Sequence, residues 1–514
     1  MKNQIKLFLS TAFFLLISLY SFSQDGSLDT TLDTDGIVTT RVLTVTESGN
    51  AIAIQPDGKI IVAGSSYASP SINCDFAIVR YNPNGSLDTT FDVDGKLTTD
   101  IGTQTDVPVS IALQSDGKIV VGGYSDIGPN VRFALARYNY DGSLDTTFDL
   151  DGKLNTIVGN NGIDGAYSIA IQPDGKIIAA GISKNSSINN FALVRYNSNG
   201  ILDSTFGLNG KKITSFGTGN ASSGNSVVIQ SDGKIIVAGG SNNGTNSDFA
   251  LVRYNPNGSL DATFDTDGKL TTDIGNSDNS AKSVAIQQDG KIVAVGTSYG
   301  IENKFALVRY NVDGSLDTTF DSDGKVTTIG GVANSVVIQA DGKIVVAGVF
   351  NSILNDDFAI LRYNSDGSLD TTFGVNGKSI ITIQDRNDEA RGVAIQSDGK
   401  IVLAGGTTKS QIGFFALLRL NNTVLGLDND YLQNQFEVYP NPVTNSLKIK
   451  SQNNDIIKKI KIINLLGQVI LEKDISDNFN NQELNIDTSN FLTGIHQLII
   501  YGDKGNWKSK FIKN

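Results

Sequence analysis

Four residue types are almost absent from this 514-residue chain: cysteine, histidine, methionine and tryptophan each occur once. A single cysteine, Cys74, excludes an intrachain disulfide and a zinc site built from cysteines. Because His496 is the only histidine, the residues before it hold no imidazole base or ligand. We expect Cys74 to be a weakly polar loop residue rather than a reactive thiol, and His496 to be a surface or packing residue. Trp507 and Phe511 are interpreted as packing residues.

Basic residues are also outnumbered, with Lys+Arg 41 against Asp+Glu 53 and a formal net charge of −12. The sequence contains no run of basic residues, which argues against nucleic-acid binding. No segment after the N-terminus is apolar for long enough to cross a bilayer, a length of about 20 residues. We therefore expect no transmembrane segment in the mature chain.

The N-terminus has the pattern of a secretory signal peptide. Lys2 and Lys6 precede the apolar stretch from Leu7 to Leu19, and small residues follow at Ser21 and Ser23. This order predicts cleavage after Ser23, so that residues 1–23 are removed on export. A membrane anchor is the alternative, but the apolar stretch is short for a span.

An internal repeat dominates residues 25 to 422. The string Ala-Ile-Gln-x-Asp-Gly-Lys-Ile, or a close variant, recurs seven times. A period of about 58 residues indicates one supersecondary unit that is stacked repeatedly. The repeated glutamines are Gln55, Gln114, Gln172, Gln230, Gln287, Gln339 and Gln396.

Each copy reads as four short strands. In the fourth copy, the dipeptide Asp232-Gly233 between apolar runs predicts a tight hairpin. The first two strands are apolar on both faces, so both faces of the sheet must be covered. The fourth strand is polar, as suits an outer edge. This change from apolar inner strands to a polar outer strand predicts the blades of a β-propeller, with a β-solenoid as the alternative. The strands predicted for this copy are 226–230, 234–239, 249–255 and 269–272.

The two ends of the array complement each other. An isolated fourth-strand segment, Gly36 to Arg41, precedes the first copy, and the last copy ends after its third strand, Phe415 to Asn421. Pairing of these segments would close the ring. We therefore predict an all-β protein with a seven-bladed propeller of 28 strands over residues 24–421, whose N-terminal strand completes the last blade.

Two polar signatures recur besides the turns. Arg-Tyr-Asn places an arginine on a face expected to be buried between blades, and such an arginine needs a carboxylate partner. Leu-Asp-Thr-Thr-Phe, or a variant with Ser or Ala after the aspartate, supplies one aspartate per blade. We therefore predict one structural pair per blade, with Arg419 meeting Asp29 across the closure. A ring of arginines that lines a ligand funnel is the alternative. The arginines are Arg80, Arg137, Arg195, Arg253, Arg309, Arg362 and Arg419, and the aspartates are Asp29, Asp88, Asp145, Asp203, Asp261, Asp317 and Asp370.

Closely spaced aspartates raise the question of a metal ion. Calcium takes six to eight oxygen ligands, so the Asp-x-Asp-Gly loops are weak calcium candidates. Two copies replace this segment by Gly207–Gly210 and Gly374–Gly377, which points to turn geometry rather than ligation. No other cofactor is indicated. The best candidates are Asp88, Asp92, Asp94, Asp145, Asp149 and Asp151, and the pattern recurs at Asp29/Asp33/Asp35, Asp261/Asp265/Asp267 and Asp317/Asp321/Asp323.

The two long motifs together resemble the delta-60 repeat. They are Val-Ala-Ile-Gln-x-Asp-Gly-Lys-Ile-Val-Val-Ala-Gly and Phe-Ala-Leu-Val-Arg-Tyr-Asn-x-Asp-Gly-Ser-Leu-Asp-Thr-Thr-Phe, and the resemblance covers residues 25 to 422. It implies an exported bacterial protein with tandem, propeller-forming repeats. The family has no established catalytic residues, so none is carried over.

Composition changes after a polar linker, residues 422–435. Residues 436–514 resemble the type IX secretion (Por) C-terminal sorting domain, although a tyrosine usual near His496 is missing. The resemblance implies a small Ig-like β-sandwich, recognition by the type IX machinery, and release or attachment at the outer cell surface. An ordinary adhesive Ig-like domain is the alternative. The motif residues are Tyr439, Pro440, Asn441, Pro442, Gly467, Gln468 and Gly494.

The function predicted is that of a non-catalytic, monomeric binding or adhesion scaffold for a glycan or an extracellular protein. Variable loops, such as Ser65–Cys74, Ser241–Ser247 and Asn351–Asp356, follow each second strand and suit recognition. A carboxylate-based glycoside hydrolase or lyase and a purely structural spacer are the alternatives. A catalytic carboxylate should break the repeat, and the candidates that do so are Asp126, Asp164, Glu302, Asp385, Asp388 and Glu389.

Overall fold

The structure, a computed structural model, describes most of the chain after residue 23. The described residues are 24–43, 45–67, 73–102, 104–160, 162–185, 188–217, 221–352, 355–384, 387–422, 436–440, 442–451, 457–464, 469–475, 484–491, 494–502 and 505–513. The predicted signal peptide and the linker residues 423–435 lie outside them. The chain divides into two compact units, residues 1–423 and 424–514.

The described part of the first unit contains 28 strands in seven four-stranded antiparallel sheets, here called blades one to seven. Blades one to three are β2 (Thr46–Ile54), β3 (Ile60–Tyr67), β4 (Cys74–Tyr81) and β5 (Lys96–Thr99); β6 (Asp106–Leu113), β7 (Ile119–Ile127), β8 (Asn130–Tyr138) and β9 (Lys153–Thr156); and β10 (Asp164–Ile171), β11 (Ile177–Asn185), β12 (Ile188–Tyr196) and β13 (Lys211–Thr214). Blades four to six are β14 (Ser222–Ile229), β15 (Ile235–Asn242), β16 (Ser247–Tyr254) and β17 (Lys269–Thr272); β18 (Asn279–Ile286), β19 (Ile292–Ser298), β20 (Lys304–Tyr310) and β21 (Lys325–Ile329); and β22 (Gly331–Ile338), β23 (Ile344–Asn351), β24 (Asp356–Tyr363) and β25 (Lys378–Ile381). Blade seven is β26 (Asp388–Ile395), β27 (Ile401–Lys409), β28 (Ile412–Leu420) and the N-terminal β1 (Ile37–Thr40).

The N-terminal strand completes the last blade, as predicted. β1 pairs antiparallel with β28, from Ile37 opposite Leu418 to Thr40 opposite Phe415. Blade seven in turn packs on blade one, because Phe415 and Val62 share one buried cluster. The seven-bladed propeller is therefore confirmed, and its ring is closed by strands from both ends of the unit.

The core is divided into seven clusters, one between each pair of neighbouring blades. Between blades four and five, for example, Phe249 and Leu251 share a cluster with Ile292 and Val308. The second and third strands are buried on both faces, whereas the first strand is half-exposed. The sequence predicted burial of the first two strands. The difference arises because the first strand is innermost and borders the propeller axis.

Every innermost strand contains one β-bulge. In blade four the register shifts between Gly224 and Ser226, which leaves Asn225 without a partner on β15. On the N-terminal side of the bulge, β14 pairs with β15 again. The strand therefore begins at Ser222, four residues before the predicted start. The unpaired residues, here called the bulge ring, are Asn50, Val109, Tyr167, Asn225, Lys282, Asn334 and Arg391.

The antiparallel order gives the propeller two different faces. The turns between first and second strands and the long segments between third and fourth strands lie at one end, here called the turn face. The loops between second and third strands and the connections to the next blade lie at the other end, here called the loop face. The repeated polar motifs are therefore on the turn face and the variable loops on the loop face.

The second unit is a small β-sandwich. A three-stranded and a four-stranded sheet share one buried cluster, which includes Phe436, Leu447, Ile460 and Phe511. The strands are β29 (Phe436–Tyr439), β30 (Ser446–Ser451), β31 (Ile457–Asn464), β32 (Val469–Asp474), β33 (Leu484–Asp487), β34 (Gly494–Gly502) and β35 (Gly505–Lys513).

Several residues singled out in the sequence lie in this unit. His496 is buried, with its ring centroid 5.7 Å from that of Phe491 and 5.4 Å from that of Phe511. In the sorting motif, Tyr439 ends β29 and precedes Pro440 through a cis peptide bond, Pro442 is exposed and Gly494 begins β34. Asn441, Gly467, Gln468 and the Trp507 side chain lie outside the described residues. Within the described residues of the whole chain, no helix has the length and hydropathy needed to span a bilayer.

Candidate functional site

Every predicted arginine lies beside its predicted aspartate. The Nε atom of Arg80 is 2.7 Å from Oδ2 of Asp88, and Arg80 is fully buried. The same two atoms are 2.6–2.8 Å apart in the other blades. These six pairs are Arg137–Asp145, Arg195–Asp203, Arg253–Asp261, Arg309–Asp317, Arg362–Asp370 and Arg419–Asp29.

The remaining residues of the motif complete this contact. Thr90 donates its hydroxyl to Asp88 at 2.7 Å, and the Arg80 guanidinium lies 4.6 Å from the centroid of Phe91. The ammonium group of Lys59, from the Asp-Gly-Lys turn, is 3.2 Å from Asp88. Burial would raise the pKa of Asp88, but hydrogen bonds from Thr90 and Lys59 and the charge of Arg80 lower it to about 2. This lysine follows Asp-Gly in all seven copies, but the repeat pattern alone did not predict its contact with the aspartate.

Each arginine also connects its blade to the next one. Nη1 of Arg80 donates to the backbone oxygen of Tyr140 in blade two, and Arg419 of blade seven donates to Pro83 of blade one at 2.5 Å. In blade six the acceptor is the side chain of Asn422, 2.5 Å away, so this first residue of the predicted linker lies inside the propeller. The arginine side chains thus form their ion pairs and hydrogen bonds with other residues of the turn face. These contacts support a structural role rather than a ligand funnel.

The Asp-x-Asp-Gly loops have the geometry of tight turns. Asp92 has a φ of 44°, and Asp94 accepts a hydrogen bond from the Lys96 amide at 3.0 Å. Asp149 and Asp151 repeat both features, with a φ of 44° and an acceptor distance of 3.0 Å. Among the described residues these aspartates do not form a group of three carboxylates close enough to share an ion. The loops therefore carry no geometry that points to calcium.

Two of the carboxylates that break the repeat form hydrogen bonds with the backbone of the loop that connects one blade to the next. Asp388 accepts hydrogen bonds from the amides of Ile383 and Gln384, and its other oxygen from Thr407. Asp164 accepts from the amides of Val158 and Gly159 in the same way. Both residues are fully buried at the start of an innermost strand. Their oxygens position the loop that leads into that strand.

The other repeat-breaking carboxylates are scattered. Asp126 is half-buried near the end of β7, and Glu302 is exposed beside a cavity of about 760 Å³ at the rim of blade five. Glu389 is half-exposed and lies 2.8 Å from Arg391. Asp385 lies outside the described residues. Among the described residues, the carboxylates that break the repeat do not converge on one position.

The bulge ring is the place where non-repeated side chains do meet. Asn50 donates to the backbone oxygen of Pro108, and Arg391 donates to Oδ1 of Asn50 at 2.6 Å. Asn225 and Asn334 reach the next innermost strand in the same way. Burial lowers the pKa of the Lys282 ammonium group. The bulge ring combines side-chain amides, an aromatic ring and two basic groups along the axis. In the sequence, these positions could have been recognised because they vary between copies of an otherwise repeated first strand.

A cavity of about 450 Å³ lies on the loop face beside this ring. It is lined by residues of blades six, seven and one, among them Glu47, Asn351, Glu389 and Arg391. Arg391 therefore belongs both to the bulge ring and to the cavity wall. The loop face thus has a concave, charged surface built from residues that differ between blades.

Comparison with known proteins agrees with both units. The fold defines a seven-bladed β-propeller and, in the second unit, a small β-sandwich. The chain carries seven repeats of the domain of unknown function (DUF5122) beta-propeller, matched at residues 55–91, 114–148, 172–206, 230–264, 287–320, 339–373 and 396–423. Residues 437–514 match the secretion system C-terminal sorting domain, so the protein leaves the cell by type IX secretion for the surface or the medium. No curated protein matches the chain.

Solved structures resemble the chain only distantly. A PL25 ulvan lyase is 13% identical with a TM-score of 0.42, over 74% of this chain and 95% of that one. A virginiamycin B lyase from Staphylococcus aureus is 13% identical with a TM-score of 0.40, over 74% and 98%. A GH93 α-L-arabinofuranosidase of Fusarium graminearum is 11% identical with a TM-score of 0.38, over 60% and 92%. Likeness at this level says nothing about the activity of this chain.

Proposed function

We propose that the propeller is a non-catalytic, monomeric binding module whose ligand docks on the loop face, at the mouth of the bulge ring. The observation that carries this proposal is the distribution of variation within the repeat. The turn face repeats the same ion pairs in every blade. The bulge ring instead has five different residue types at seven equivalent backbone positions. Variable side chains on a fixed scaffold suit recognition.

The chemistry of the ring favours a glycan over an extracellular protein. Side-chain amides both donate and accept hydrogen bonds, as a hydroxyl-rich ligand requires. Tyr167 adds an apolar ring with a polar tip. The ring centroid of Tyr124 lies 6.4 Å from that of Tyr167 in an edge-to-face arrangement, so the ring orientation is supported. An extracellular protein is the second candidate ligand.

Catalysis by carboxylates is the alternative. Glycosidases use two carboxyl groups, about 5–5.5 Å apart in retaining enzymes and about 6.5–9.5 Å apart in inverting ones. The carboxylates of Asp164 and Asp388 accept hydrogen bonds from backbone amides, and the carboxylate of Glu389 forms an ion pair with Arg391. These contacts support binding without turnover.

The test measures binding of the mature chain, residues 24–514, to arrays of glycans and matrix proteins. We expect Tyr167→Ala and Lys282→Ala each to weaken binding at least tenfold. Lys96→Ala, at the start of β5 on the turn face, is the matched control and should bind like the wild type. Release of sugar products from a bound glycan would instead support the enzyme. Absence of binding to every probe would favour a structural spacer.

A further inference from the structure

The bulge ring has a polar side and an apolar side. Its members follow one another in blade order, because each blade contributes one bulge residue from its innermost strand. Blades two and three supply an aliphatic and an aromatic side chain, whereas the other five blades supply amides and cations. The apolar side consists of Val109 and Tyr167, and the polar side consists of Asn225, Lys282, Asn334, Arg391 and Asn50. A ligand on the propeller axis therefore meets chemically different walls.

Lys282 is the ring cation without a counter-charge. On either side of it, the amides of Asn225 and Asn334 each donate to a backbone oxygen of the next innermost strand, at 2.7 and 2.9 Å. The guanidinium group of Arg391 lies 2.8 Å from the carboxylate of Glu389. Among the described residues, the ammonium group of Lys282 forms neither an ion pair nor a hydrogen bond. Lys282 therefore brings an uncompensated positive charge to the ring.

The innermost strands next to Lys282 contain no acid. In four blades, an acid stands three positions before the bulge residue, and these acids are Asp388, Glu47, Asp106 and Asp164 in blades seven, one, two and three. Blades four, five and six have neutral residues at this position, which are Ser222, Asn279 and Gly331. The strands β14, β18 and β22 contain no aspartate or glutamate at any position. Lys282, in blade five, is thus in the middle of this neutral sector.

An ammonium group in this position costs the folded chain free energy. Burial alone lowers the pKa of Lys282, since no neighbouring carboxylate acts to raise it. A cation that is taken out of water without a counter-charge is destabilising. An anion that binds beside the lysine would offset this cost. The position of the charge therefore suits a ligand better than it suits the fold.

The apolar side of the ring suits the apolar face of a sugar. Tyr167 is half-buried and is supported by the edge-to-face contact with Tyr124. Burial raises the pKa of Tyr67, and the positive charge of Arg391 opposes that rise, which places a third tyrosine near the ring. A sugar ring has an apolar C–H face and polar edges. An aromatic wall together with a separate cation therefore matches a sugar that carries an acidic group.

We infer that the bulge ring selects an acidic glycan, whose carboxylate or sulfate group pairs with the ammonium group of Lys282. This inference rests on the function proposed above and names the class of glycan. An ammonium group is a compact charge with three donors, so it can pair with either anion without a fixed geometry. The chain as a whole has a formal net charge of −12, so long-range attraction does not favour an anion. The selectivity must therefore come from the ring itself.

The first test compares charged glycans with uncharged forms of the same backbone. Oligogalacturonate is paired with its methyl ester, and a sulfated carrageenan oligosaccharide with its desulfated form, and calorimetry gives their affinities for the mature chain. We expect a charged form to bind at least about tenfold more tightly than its uncharged counterpart, and the pair that shows this difference distinguishes carboxylate from sulfate. Equal affinities within both pairs, or binding of neutral glycans alone, would overturn the inference and leave the proposed function standing. Absence of binding to every glycan would overturn both.

Variants of Lys282 separate loss of the charge from loss of the fold. Lys282→Met keeps an unbranched side chain, and we expect its affinities for the charged and uncharged forms to agree within about twofold. Without ligand, its unfolding temperature should equal or exceed that of the wild type, because an uncompensated cation has been removed. Lys282→Arg should retain the preference for the charged form, and so should the matched control Lys96→Met on the turn face. A lower unfolding temperature of Lys282→Met, or a preference that survives in it, would contradict the inference.

Discussion

Arg419 and Asp29 are 390 residues apart in the chain, yet Nε of one lies 2.6 Å from Oδ2 of the other. Lys400 adds a second cation 2.8 Å from the same carboxylate oxygen. This contact joins the N-terminal segment to the last blade next to the pairing of β1 with β28. The ion pair that stabilises every other blade locally therefore stabilises the closure of the whole ring.

The first prediction is that Asp29→Asn destabilises the propeller by about 3–5 kcal/mol, because it leaves a buried arginine without its counter-charge. The measurement is the free energy of unfolding in urea. Asp33→Asn is the matched control, since Asp33 is exposed in the same segment and should cost less than about 0.5 kcal/mol. Equal effects of the two substitutions would show that the closure does not depend on the pair.

A second prediction concerns the tyrosine of Arg-Tyr-Asn. The hydroxyl of Tyr254 donates to Thr214 of the preceding blade at 2.9 Å, and both residues are buried. In blade seven the tyrosine is replaced by Leu420, and the threonine of blade six by Ile381, so an apolar contact takes the place of the hydrogen bond. Tyr254→Phe and Thr214→Val should each cost about 1–3 kcal/mol, because each leaves one hydroxyl buried without a partner.

The double variant tests this explanation. With both hydroxyls removed no unpaired group is left, so Tyr254→Phe with Thr214→Val should cost clearly less than the two single costs added together. Unfolding free energies of the four proteins provide the cycle. Additive costs would indicate that the two residues do not interact.

The third prediction is a pH dependence. The pKa of Asp88 is about 2 in the folded chain, against about 3.9 for an unperturbed aspartate. A lowered pKa in the folded state gives stability that is complete above the unfolded value and is lost as the pH falls toward the folded value. The stability advantage of the wild type over Asp88→Asn should therefore be largest above about pH 5 and should shrink between about pH 4 and pH 2. Unfolding free energies across this range provide the measurement, and an advantage that stays constant would contradict it.

The repeat period allowed the blades, their number and the closure to be predicted, because the Asp-Gly turns and the unpaired terminal segments follow from local rules. Arg253 and Asp261 could be matched because burial of a charge demands a partner. The bulge at Asn225 could not be found, since one extra residue leaves the pattern of apolar residues almost unchanged. Lys234 was missed for a different reason: lysine after Asp-Gly reads as an ordinary turn residue until Asp261 is placed beside it.

The last prediction concerns the glycine that ends Val-Ala-Gly in the second strands. Gly239 lies beside the bulge at Asn225, and a Cβ built on it would be 1.7 Å from the backbone oxygen of Ser223. Because a backbone atom of the bulge would have to move, Gly239→Ala should cost at least about 3 kcal/mol, the upper part of the range for overpacking. At Gly240 the nearest atom is Oγ of Ser280, 3.0 Å away, and this side chain can shift, so Gly240→Ala should cost less than about 1 kcal/mol. Urea unfolding of both variants makes the comparison. Similar costs would mean that the backbone of the bulge can move to make room for a methyl group. The close approach of the first and second strands within a blade would then not explain why glycine recurs at this position in every blade.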